Sequence, residues 1–390
     1  MKKKKKWIKK RHSFIVKLLN PIFKFHFKSK YNLKCENFEK EVPTGSLIMC
    51  NHLTTMDPFM IGASFSRPLY YVASDDLFTI PVISRIIKFL VEPIPKSKSK
   101  SDLNTVRYTL QVLKEGGSVV LFPEGNRSLS GGNWEIDLSA AKLAKMCKAP
   151  LVFFNITGGY GADPRWGKGV RKGRVTCRAV KIIPAEKVAT MSVEEIYREI
   201  LINLTSCDYD LGIKFKSKNR AEYLERALYY CPNCKTFNSL YSSKQYLYCK
   251  HCDLQVEYTE DLQFKKINGE INSANVYEWF NAQKEELKTY SNSKDSILFN
   301  DNEVTARLIK NKKRHKLGLA NIKGYNDKVI VEIKNKQNVL DFNELVGVTV
   351  LGKRKINFYL PDDKTLQIKG NKRFNAIKYL HLFELSKGEK

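Results

Sequence analysis

The chain lacks any long hydrophobic run. No window reaches 18 consecutive apolar residues, and the longest runs, such as LVFF at residues 151–154, have the length of a strand. A membrane-spanning helix needs roughly 20 apolar residues, so the sequence does not predict a simple one. The N-terminus also lacks an apolar segment followed by a small-residue cleavage site, so it does not match a secretory signal.

Acidic residues are missing from the first 34 positions, which carry thirteen Lys and Arg; the first acid is Glu36, and the whole chain has a net charge of +28. Such charge attracts nucleic acid or an anionic lipid surface. Because apolar side chains such as Trp7 and Phe14 interleave the lysines, we expect residues 1–34 to form a basic amphipathic arm on an anionic membrane surface. Pro21 predicts a break into two short helices. A plain basic tail and a nucleic-acid-binding arm stay open as alternatives.

The nine cysteines do not form the spacing of a secreted disulfide framework. Four of them form two C-x2-C pairs, Cys231 with Cys234 and Cys249 with Cys252, with fourteen residues between the pairs. Each pair can present two thiolates to one tetrahedral ion, which predicts a zinc ribbon over residues 231–258. The zinc would be structural, because four thiolates leave no open position. The ribbon is only mildly basic, so nucleic acid is not expected as its partner.

Strand-like and helix-like segments alternate between residues 35 and 210. Continuous apolar runs such as SVVLF at 118–122 predict buried strands, and amphipathic stretches such as 102–115 predict helices between them. Fully apolar strands joined by helices indicate an α/β layered sheet with flanking helices. Ser192 and Glu195 have the spacing of a capping box at the start of the last of these helices.

A histidine and an acid lie close together in NHLTTMD at residues 51–57. An imidazole can take a proton from a hydroxyl group when a carboxylate holds its other ring nitrogen. His52 and Asp57 have this relation if the loop between them turns into a helix, which Thr54 or Thr55 would cap. Taken alone the pair is also compatible with an ordinary surface loop and an acid at a helix start.

A second polar loop, FPEGNRS at residues 122–128, follows a predicted buried strand. Ligands of α/β sheets bind at the carboxyl ends of strands. Gly125 permits close approach of the backbone to a ligand, and Arg127 has a planar guanidinium suited to a phosphate. Glu124 is expected either to hold that guanidinium or to accept a substrate hydroxyl.

These two segments carry a resemblance. NHLTTMD matches the NHxxxxD box of the glycerophospholipid acyltransferases, and FPEGNRS closely resembles their FPEGTRS box. The separation of 67 residues from Asp57 to Glu124 is also typical of that family, which includes 1-acyl-sn-glycerol-3-phosphate acyltransferase. The resemblance covers roughly residues 30–205.

The resemblance implies an enzyme that moves a fatty acyl group from a thioester donor, acyl carrier protein or acyl-CoA, to the free hydroxyl of lysophosphatidate. His52 would be the general base and Asp57 would orient it. The resemblance also implies a substrate-binding set, and it implies no metal or other cofactor for the transfer itself. That set is Asn51, Lys96, Glu124, Gly125 and Arg127. The protein would act as a peripheral protein on the cytoplasmic face of the cell membrane.

Two further boxes of the family are present in weaker form. Where the family usually has an arginine, VEPIPKSKSK at 91–100 offers only lysines, of which Lys96 is the best match, and a lysine loses bidentate phosphate geometry. In APLVFFNITGG, at 149–159, Phe153 stands where a second proline often occurs. These departures leave open acylation of another lyso-lipid or of glycerol 3-phosphate. The glycines at 158–169 lack the lysine-serine pair of a nucleotide loop, and we expect a mobile loop on the substrate side.

The remaining chain is expected to add small modules. We expect a connecting helix at 211–230, the ribbon at 231–258, a helical linker at 259–295 and a β-rich domain with a C-terminal helix at 296–390. The last of these resembles a pleckstrin-homology-like or lipid-docking barrel. A non-catalytic adaptor that binds lipid or nucleic acid through these modules is the rival interpretation, and the intact His52 and Asp57 pair argues against it.

Overall fold

The computed structural model describes residues 6–36, 38, 40–74, 81–96, 103–132, 134–205, 207–290, 296–311 and 313–388. The chain divides into two compact units. The first comprises residues 1–165 and 170–215, and the second comprises residues 166–169 and 216–390. Residues 1–5 of the predicted arm and residues 291–295 of the predicted linker lie outside the described ranges.

The first unit alternates strands and helices, as the sequence predicts. Its elements are α1 (Lys10–Tyr31), β1 (Leu33–Cys35), β2 (Leu47–Cys50), α2 (Asp57–Ser64), β3 (Leu69–Ser74), α3 (Pro81–Leu90), β4 (Ile94–Lys96), α4 (Leu103–Lys114), β5 (Ser118–Leu121), α5 (Ser139–Cys147), β6 (Leu151–Thr157), α6 (Gly159–Ala162), β7 (Val175–Ile183), α7 (Ala185–Thr190) and α8 (Val193–Leu204).

The strands of this unit form one seven-stranded sheet with the order β1-β7-β6-β2-β5-β3-β4. All neighbouring pairs are parallel except β6 and β7. Every residue of β2 and β5 is buried, which explains why these strands are continuous apolar runs rather than alternating ones. The layered α/β prediction is therefore confirmed, and β2 and β5 lie side by side with their carboxyl ends at the same edge of the sheet.

Helices on the sheet complete the core of the first unit. Leu143 of α5 and Ile196 and Ile200 of α8 join a buried cluster with Met49 and Phe153 from the central strands. The capping box of α8 is confirmed, with Glu195 N donating to Ser192 Oγ at 3.0 Å and Ser192 N donating to Glu195 Oε2 at 2.7 Å. Each of these bonds satisfies a backbone amide that the helix leaves without a partner.

The predicted break at Pro21 does not occur, because α1 is one helix that runs through the proline. A proline removes one backbone hydrogen bond from a helix. The packing of α1 against α2 offsets that loss, since Phe23 contacts the ring of Phe59 and Phe27 is buried. None of the helices in the described ranges is long and apolar enough to span a bilayer.

The second unit is mainly β-structure. Its elements are β8 (Tyr230–Cys231), β9 (Thr236–Phe237), β10 (Leu240–Ser243), β11 (Tyr246–Cys249), β12 (Gln255–Tyr258), β13 (Phe264–Asn268), α9 (Val276–Tyr290), β14 (Phe299–Lys310), β15 (Lys313–Gly324), β16 (Lys328–Ile333), β17 (Lys336–Asp341), β18 (Gly347–Leu351), β19 (Lys355–Leu360), β20 (Lys364–Lys369) and α10 (Ile377–Ser386).

The expected connecting helix at 211–230 is wrong. Within it the chain forms only a single 3-10 turn, Leu224–Arg226, and Tyr223 just before it has a φ of +73°, which no α-helix accepts. Leu224 and Leu228 are apolar at helical spacing because both are fully buried. Gln283 of α9 supplies the missing hydrogen bonds, accepting from Tyr229 N at 2.8 Å and donating to Ala227 O at 2.9 Å.

Three sheets organise the rest of the second unit. Cys231 lies in β8, which pairs with β9 in a two-stranded sheet, and Cys249 lies in β11 of a four-stranded antiparallel sheet, β10-β11-β12-β13. The four-stranded sheet continues beyond residue 258 into the predicted linker. The β-rich segment forms a seven-stranded antiparallel sheet with the order β17-β16-β15-β14-β20-β19-β18. Helix α10 follows the last strand and packs on β18 and β19, so a β-rich module closed by a helix is observed. The pleckstrin-homology-like likeness stays a prediction.

Candidate active site

His52 and Asp57 lie in contact at the carboxyl end of β2. His52 Nδ1 is 2.8 Å from Asp57 Oδ2. Asp57 is the first residue of α2, so the helix start fixes the carboxylate beneath the imidazole. The helix has Met56 rather than a threonine at its N-cap; the Thr54 hydroxyl instead donates to Asp57 Oδ1 at 2.6 Å.

Asp57 also fixes the shape of the loop. Its carboxylate is 0% exposed and accepts from the backbone amides of Leu53 at 2.7 Å and Thr54 at 2.9 Å. Hydrogen bonds to the ionised form stabilise a buried carboxylate that would otherwise be costly to desolvate. The pair is thus a carboxylate with its partners in place and an imidazole held by one ring nitrogen.

The surroundings of His52 favour its neutral form. Burial lowers the pKa of His52 below its ordinary value of 6.5, the hydrogen bond and charge of Asp57 oppose this, and the guanidinium groups of Arg127 and Arg165 lower it further. The side chain is 19% exposed, and the ring of Phe122 stacks on the imidazole at a centroid distance of 4.3 Å. Since Asp57 engages Nδ1, the nitrogen left for a substrate is Nε2.

The loop after β5 is bonded to the loop after β2. Glu124 Oε1 accepts from His52 N at 2.8 Å, and Ser128 N donates to His52 O at 3.0 Å. Glu124 Oε2 accepts from Trp134 N at 3.2 Å, and burial raises the pKa of Glu124 to about 8. Both carboxylate oxygens of Glu124 are thus bonded to backbone amides, and its expected role in holding Arg127 or a substrate stays a prediction.

Gly125 occupies the turn of this loop. Its φ is +65°, a left-handed conformation that glycine adopts without strain, and its amide donates to Phe122 O at 3.1 Å. Apart from its chain neighbours, no atom of the described residues lies within 4 Å of the place where a Cβ would stand. There is therefore open space beside the Gly125 backbone.

Arg127 lies beside the histidine loop and is joined by a second arginine that the sequence analysis did not single out. Arg127 Nη1 donates to Thr55 Oγ1. Arg165 is 1% exposed, and its Nη1 donates to Asn126 Oδ1 at 2.9 Å and to Arg127 O at 3.0 Å. Burial lowers the pKa of Arg165, and the charge of Arg127 lowers it further. One buried and one half-buried guanidinium group near one histidine favour an anion at this place.

The two other predicted substrate residues lie elsewhere. Asn51 is fully buried and its amide is bonded twice to the backbone of Ile156, with Nδ2 donating to the carbonyl and Oδ1 accepting from the amide, both at 2.8 Å. It joins β2 to β6, and its role as a substrate ligand stays a prediction. Lys96 is exposed at the end of β4, three strands from β2, which corresponds to roughly 14 Å at the usual strand spacing.

Comparison with known proteins agrees with this arrangement. A family model described as Acyltransferase matches residues 32–157, a range that contains His52, Asp57 and the loop at 122–128. Over these residues the first unit is similar to the acyltransferase family. A chloroplastic 1-acyl-sn-glycerol-3-phosphate acyltransferase of Arabidopsis thaliana is 25% identical over 165 residues, which are 42% of this chain and 45% of that protein.

Bacterial proteins are also similar to part of this chain. The 1-acyl-sn-glycerol-3-phosphate acyltransferase of Bacillus subtilis is 27% identical over 110 residues, 28% of this chain and 54% of that protein. The crystal structure of the 1-acyl-sn-glycerophosphate acyltransferase of Thermotoga maritima aligns with 50% of this chain and 78% of its own chain. The identity is 20% and the TM-score is 0.42, so the structural similarity is slight. This chain spans about half the length of the curated relatives it matches.

In the second unit, the four paired cysteines come together. The Sγ atoms of Cys231, Cys234, Cys249 and Cys252 all lie within 4.8 Å of one another, close enough to hold a metal ion. Two donors point at the sulfur atoms, His251 N at 3.3 Å from Cys249 and Asn233 Nδ2 at 3.2 Å from Cys252. The predicted clustering of these cysteines is confirmed, whereas the identity of the metal stays a prediction.

Proposed function

We propose that the protein transfers a fatty acyl group from a thioester donor to the free hydroxyl of lysophosphatidate, giving phosphatidate. The observation that carries this is the contact of His52 Nδ1 with Asp57, made beside the loop that bears Arg127. A base held at Nδ1 next to a cationic site matches an acceptor with a hydroxyl and a phosphate.

The transfer needs one proton to leave and return. His52 Nε2 takes the proton from the acceptor hydroxyl as its oxygen bonds to the thioester carbonyl carbon. The C–S bond then breaks, the ester forms and the thiolate leaves with the electron pair. The imidazolium returns its proton to that sulfur, so the enzyme ends as it began. Asp57 keeps the tautomer with a proton on Nδ1 and stabilises the imidazolium between the two transfers.

The acceptor phosphate is assigned to the arginines. Arg127 supplies a planar fork of N–H donors, and Arg165 positions the segment that carries it through bonds to Asn126 and to the carbonyl of Arg127. The charge of Arg165 adds to the attraction for a phosphate. Lys96, exposed at the same sheet edge, is proposed to meet the acceptor only at the periphery of the site.

An acceptor panel tests this function. Purified full-length protein in detergent micelles is given acyl-CoA or acyl carrier protein donors with lysophosphatidate, glycerol 3-phosphate or 1-acylglycerol. We expect ester formation with lysophosphatidate and at least a tenfold lower kcat/KM with 1-acylglycerol, which lacks the phosphate. Equal rates with the two acceptors would contradict the phosphate assignment, and no product with any acceptor would favour a non-catalytic lipid-binding protein.

We also propose that α1 holds the enzyme on the cytoplasmic surface of an anionic membrane. Phe14, Leu18, Ile22 and Phe25 recur at helical spacing and are 59–76% exposed, while lysines flank them. An apolar stripe among cations fits the acyl boundary of a bilayer with its headgroups. Deleting the arm would affect folding as well as membrane binding, because Trp7 and Phe27 are buried in the first unit.

Substitution separates membrane binding from folding. The variant with Phe14→Ser, Leu18→Ser and Phe25→Ser should lose sedimentation with phosphatidylglycerol vesicles while its thermal unfolding stays unchanged. Leu319→Ser, at a residue 68% exposed in the second unit, is the matched control. Undiminished vesicle binding by the triple variant would refute the role of this stripe.

For the four cysteines we propose a structural Zn²⁺. A tetrahedral Zn–S bond of about 2.3 Å requires sulfur atoms about 3.8 Å apart. Cys231 lies 3.7 Å from Cys252, and Cys234 lies 3.7 Å from Cys249, measured between Sγ atoms. Elemental analysis should give about one zinc per chain, lost in Cys231→Ser with Cys249→Ser and kept in the control Cys207→Ser. Iron in place of zinc, or no metal in protein purified without chelator, would contradict the assignment.

A further inference from the structure

A basic basin opens on the first unit away from His52. It has a volume of about 690 Å³, within the range of small-molecule sites, and is lined by three separate segments near residues 29–34, 172–174 and 212–214. Five of its ten lining residues are cationic and none is acidic. The five are Lys30, Lys34, Lys172, Arg174 and Lys214.

The sheet register puts this basin on the same edge as the candidate active site. Leu33 of β1 lies opposite Val175, the first residue of β7, and Thr176 lies opposite Thr157, the last residue of β6. Lys34 and Arg174 therefore stand where β6 and β2 end. Three strand spacings separate β1 from β2, which corresponds to roughly 14 Å along the sheet edge.

The lining favours an anionic ligand that carries phosphate. The five cationic side chains are exposed, so each contributes a modest and salt-dependent attraction, and their convergence on one concavity makes these attractions add. Arg174 supplies a fork that matches phosphate oxygens in pairs, and the lysines supply mobile point charges. A ligand without a negative charge would leave this charge without a counterpart.

We propose that the basin binds the phosphate groups of the phosphopantetheine thioester donor. This rests on the proposed function, which requires two substrates at His52. The acceptor has its phosphate close to the reacting hydroxyl, as the Arg127 site requires. The donor carries its phosphates at the far end of the pantetheine arm from the thioester. A second phosphate site on the same sheet edge, about three strands from the base, suits the donor.

The test compares donors that differ in phosphate content. The variant with Lys34→Gln, Arg174→Gln and Lys214→Gln is assayed with acyl-CoA, acyl carrier protein and acyl-pantetheine, which has no phosphate. The control carries Lys310→Gln, Lys316→Gln and Lys336→Gln, three exposed positions of the second unit with the same change in charge. We expect the KM for acyl-CoA to rise about tenfold at low salt and less at high salt. The KM for acyl-pantetheine, the KM for lysophosphatidate and kcat should stay unchanged.

Direct binding makes the result independent of turnover. Calorimetry with free CoA and with holo acyl carrier protein on the full chain should give weaker binding to the basin variant than to the control variant. Weaker binding of acyl carrier protein alone supports the phosphate site and identifies acyl carrier protein as the donor that supplies the phosphate. Equal binding by both variants overturns the proposal, as does an equal rise of KM for acyl-CoA and acyl-pantetheine. Lost vesicle binding with an unchanged donor KM would instead assign the basin to lipid headgroups and also overturn it.

Discussion

Replacing Asp57 by Asn tests the electrostatic part of the proposed mechanism. The asparagine oxygen can still accept from His52 Nδ1, which lies 2.8 Å away, and from the amides of Leu53 and Thr54. The Thr54 hydroxyl can rotate to accept from the new amide group. The loop and the tautomer should therefore survive, and the change removes mainly the negative charge.

The size of the effect follows from the geometry. Two unit charges about 4 Å apart interact by about 4 kcal/mol at an effective dielectric constant of roughly 20. Asp57 is 0% exposed and the His52 side chain 19% exposed, so solvent screens the pair little. If the imidazolium is largely formed in the transition state, kcat falls by about 10²- to 10³-fold.

The pH profile gives a second readout of the same variant. Asp57 raises the pKa of His52 against the effect of burial, so its loss lowers that pKa further. The acid limb of kcat/KM should move to lower pH, while the plateau drops. Asp137→Asn, at an exposed residue of the same unit, is the matched control and should change neither. A rate within threefold of wild type, or an acid limb moved to higher pH, would refute the reasoning.

Three further predictions concern neighbouring residues. Arg165→Gln should raise the KM for lysophosphatidate about tenfold. It should also move the acid limb of kcat/KM to higher pH, because the Arg165 charge lowers the pKa of His52. A change in KM without a shift of the acid limb would leave Arg165 only a structural role. Gly125→Ala should lower the free energy of unfolding by about 1–2 kcal/mol, because a φ of +65° strains a residue with a Cβ even where space is open around it. Unchanged thermal stability would contradict the left-handed turn at Gly125. Glu124→Gln should lower the free energy of unfolding by about 1–3 kcal/mol, because the backbone amide of His52 or of Trp134 would then face an NH₂ donor. A calorimetric scan that matches wild type would contradict the two hydrogen bonds from these amides to Glu124.

Short-range features were predictable from the sequence. His52 and Asp57 are five residues apart in one loop, so a single helix start brings them together, and their contact is confirmed at 2.8 Å. The capping box at Ser192 and the cysteine knuckles are local in the same sense. Strand and helix alternation follows from burial on both faces of the sheet, which dictates apolar runs.

Long-range hydrogen bonding was not predictable. Glu124 is 72 residues from His52, and nothing in FPEGNRS indicates that its carboxylate binds a backbone amide rather than a guanidinium. Arg165 lies in a glycine-containing loop after β6. The sequence pattern that could have indicated it is an arginine after a strand that ends at the same edge of the sheet as β2. The bonds of Asn51 were not predictable for the same reason, since its partner Ile156 is 105 residues away.

Local patterns also gave wrong elements where packing decided the outcome. Pro21 breaks isolated helices, but α1 is supported along one face by α2. The segment at 218–230 has helical spacing because its apolar residues are buried on all sides, and Gln283 replaces the helix hydrogen bonds. In both places tertiary contacts outweigh the local preference of the sequence.

The most direct test of the central claim is phosphatidate formation by wild type and by His52→Ala under identical conditions. Phosphatidate is quantified by mass spectrometry from lysophosphatidate and acyl-CoA or acyl carrier protein donors. His315→Ala, at an exposed histidine of the second unit, controls for loss of an imidazole elsewhere. The account predicts product from wild type and the control, and a rate at least 10²-fold lower from His52→Ala with unchanged thermal unfolding. Undiminished phosphatidate formation by folded His52→Ala would contradict the role of His52 as the general base.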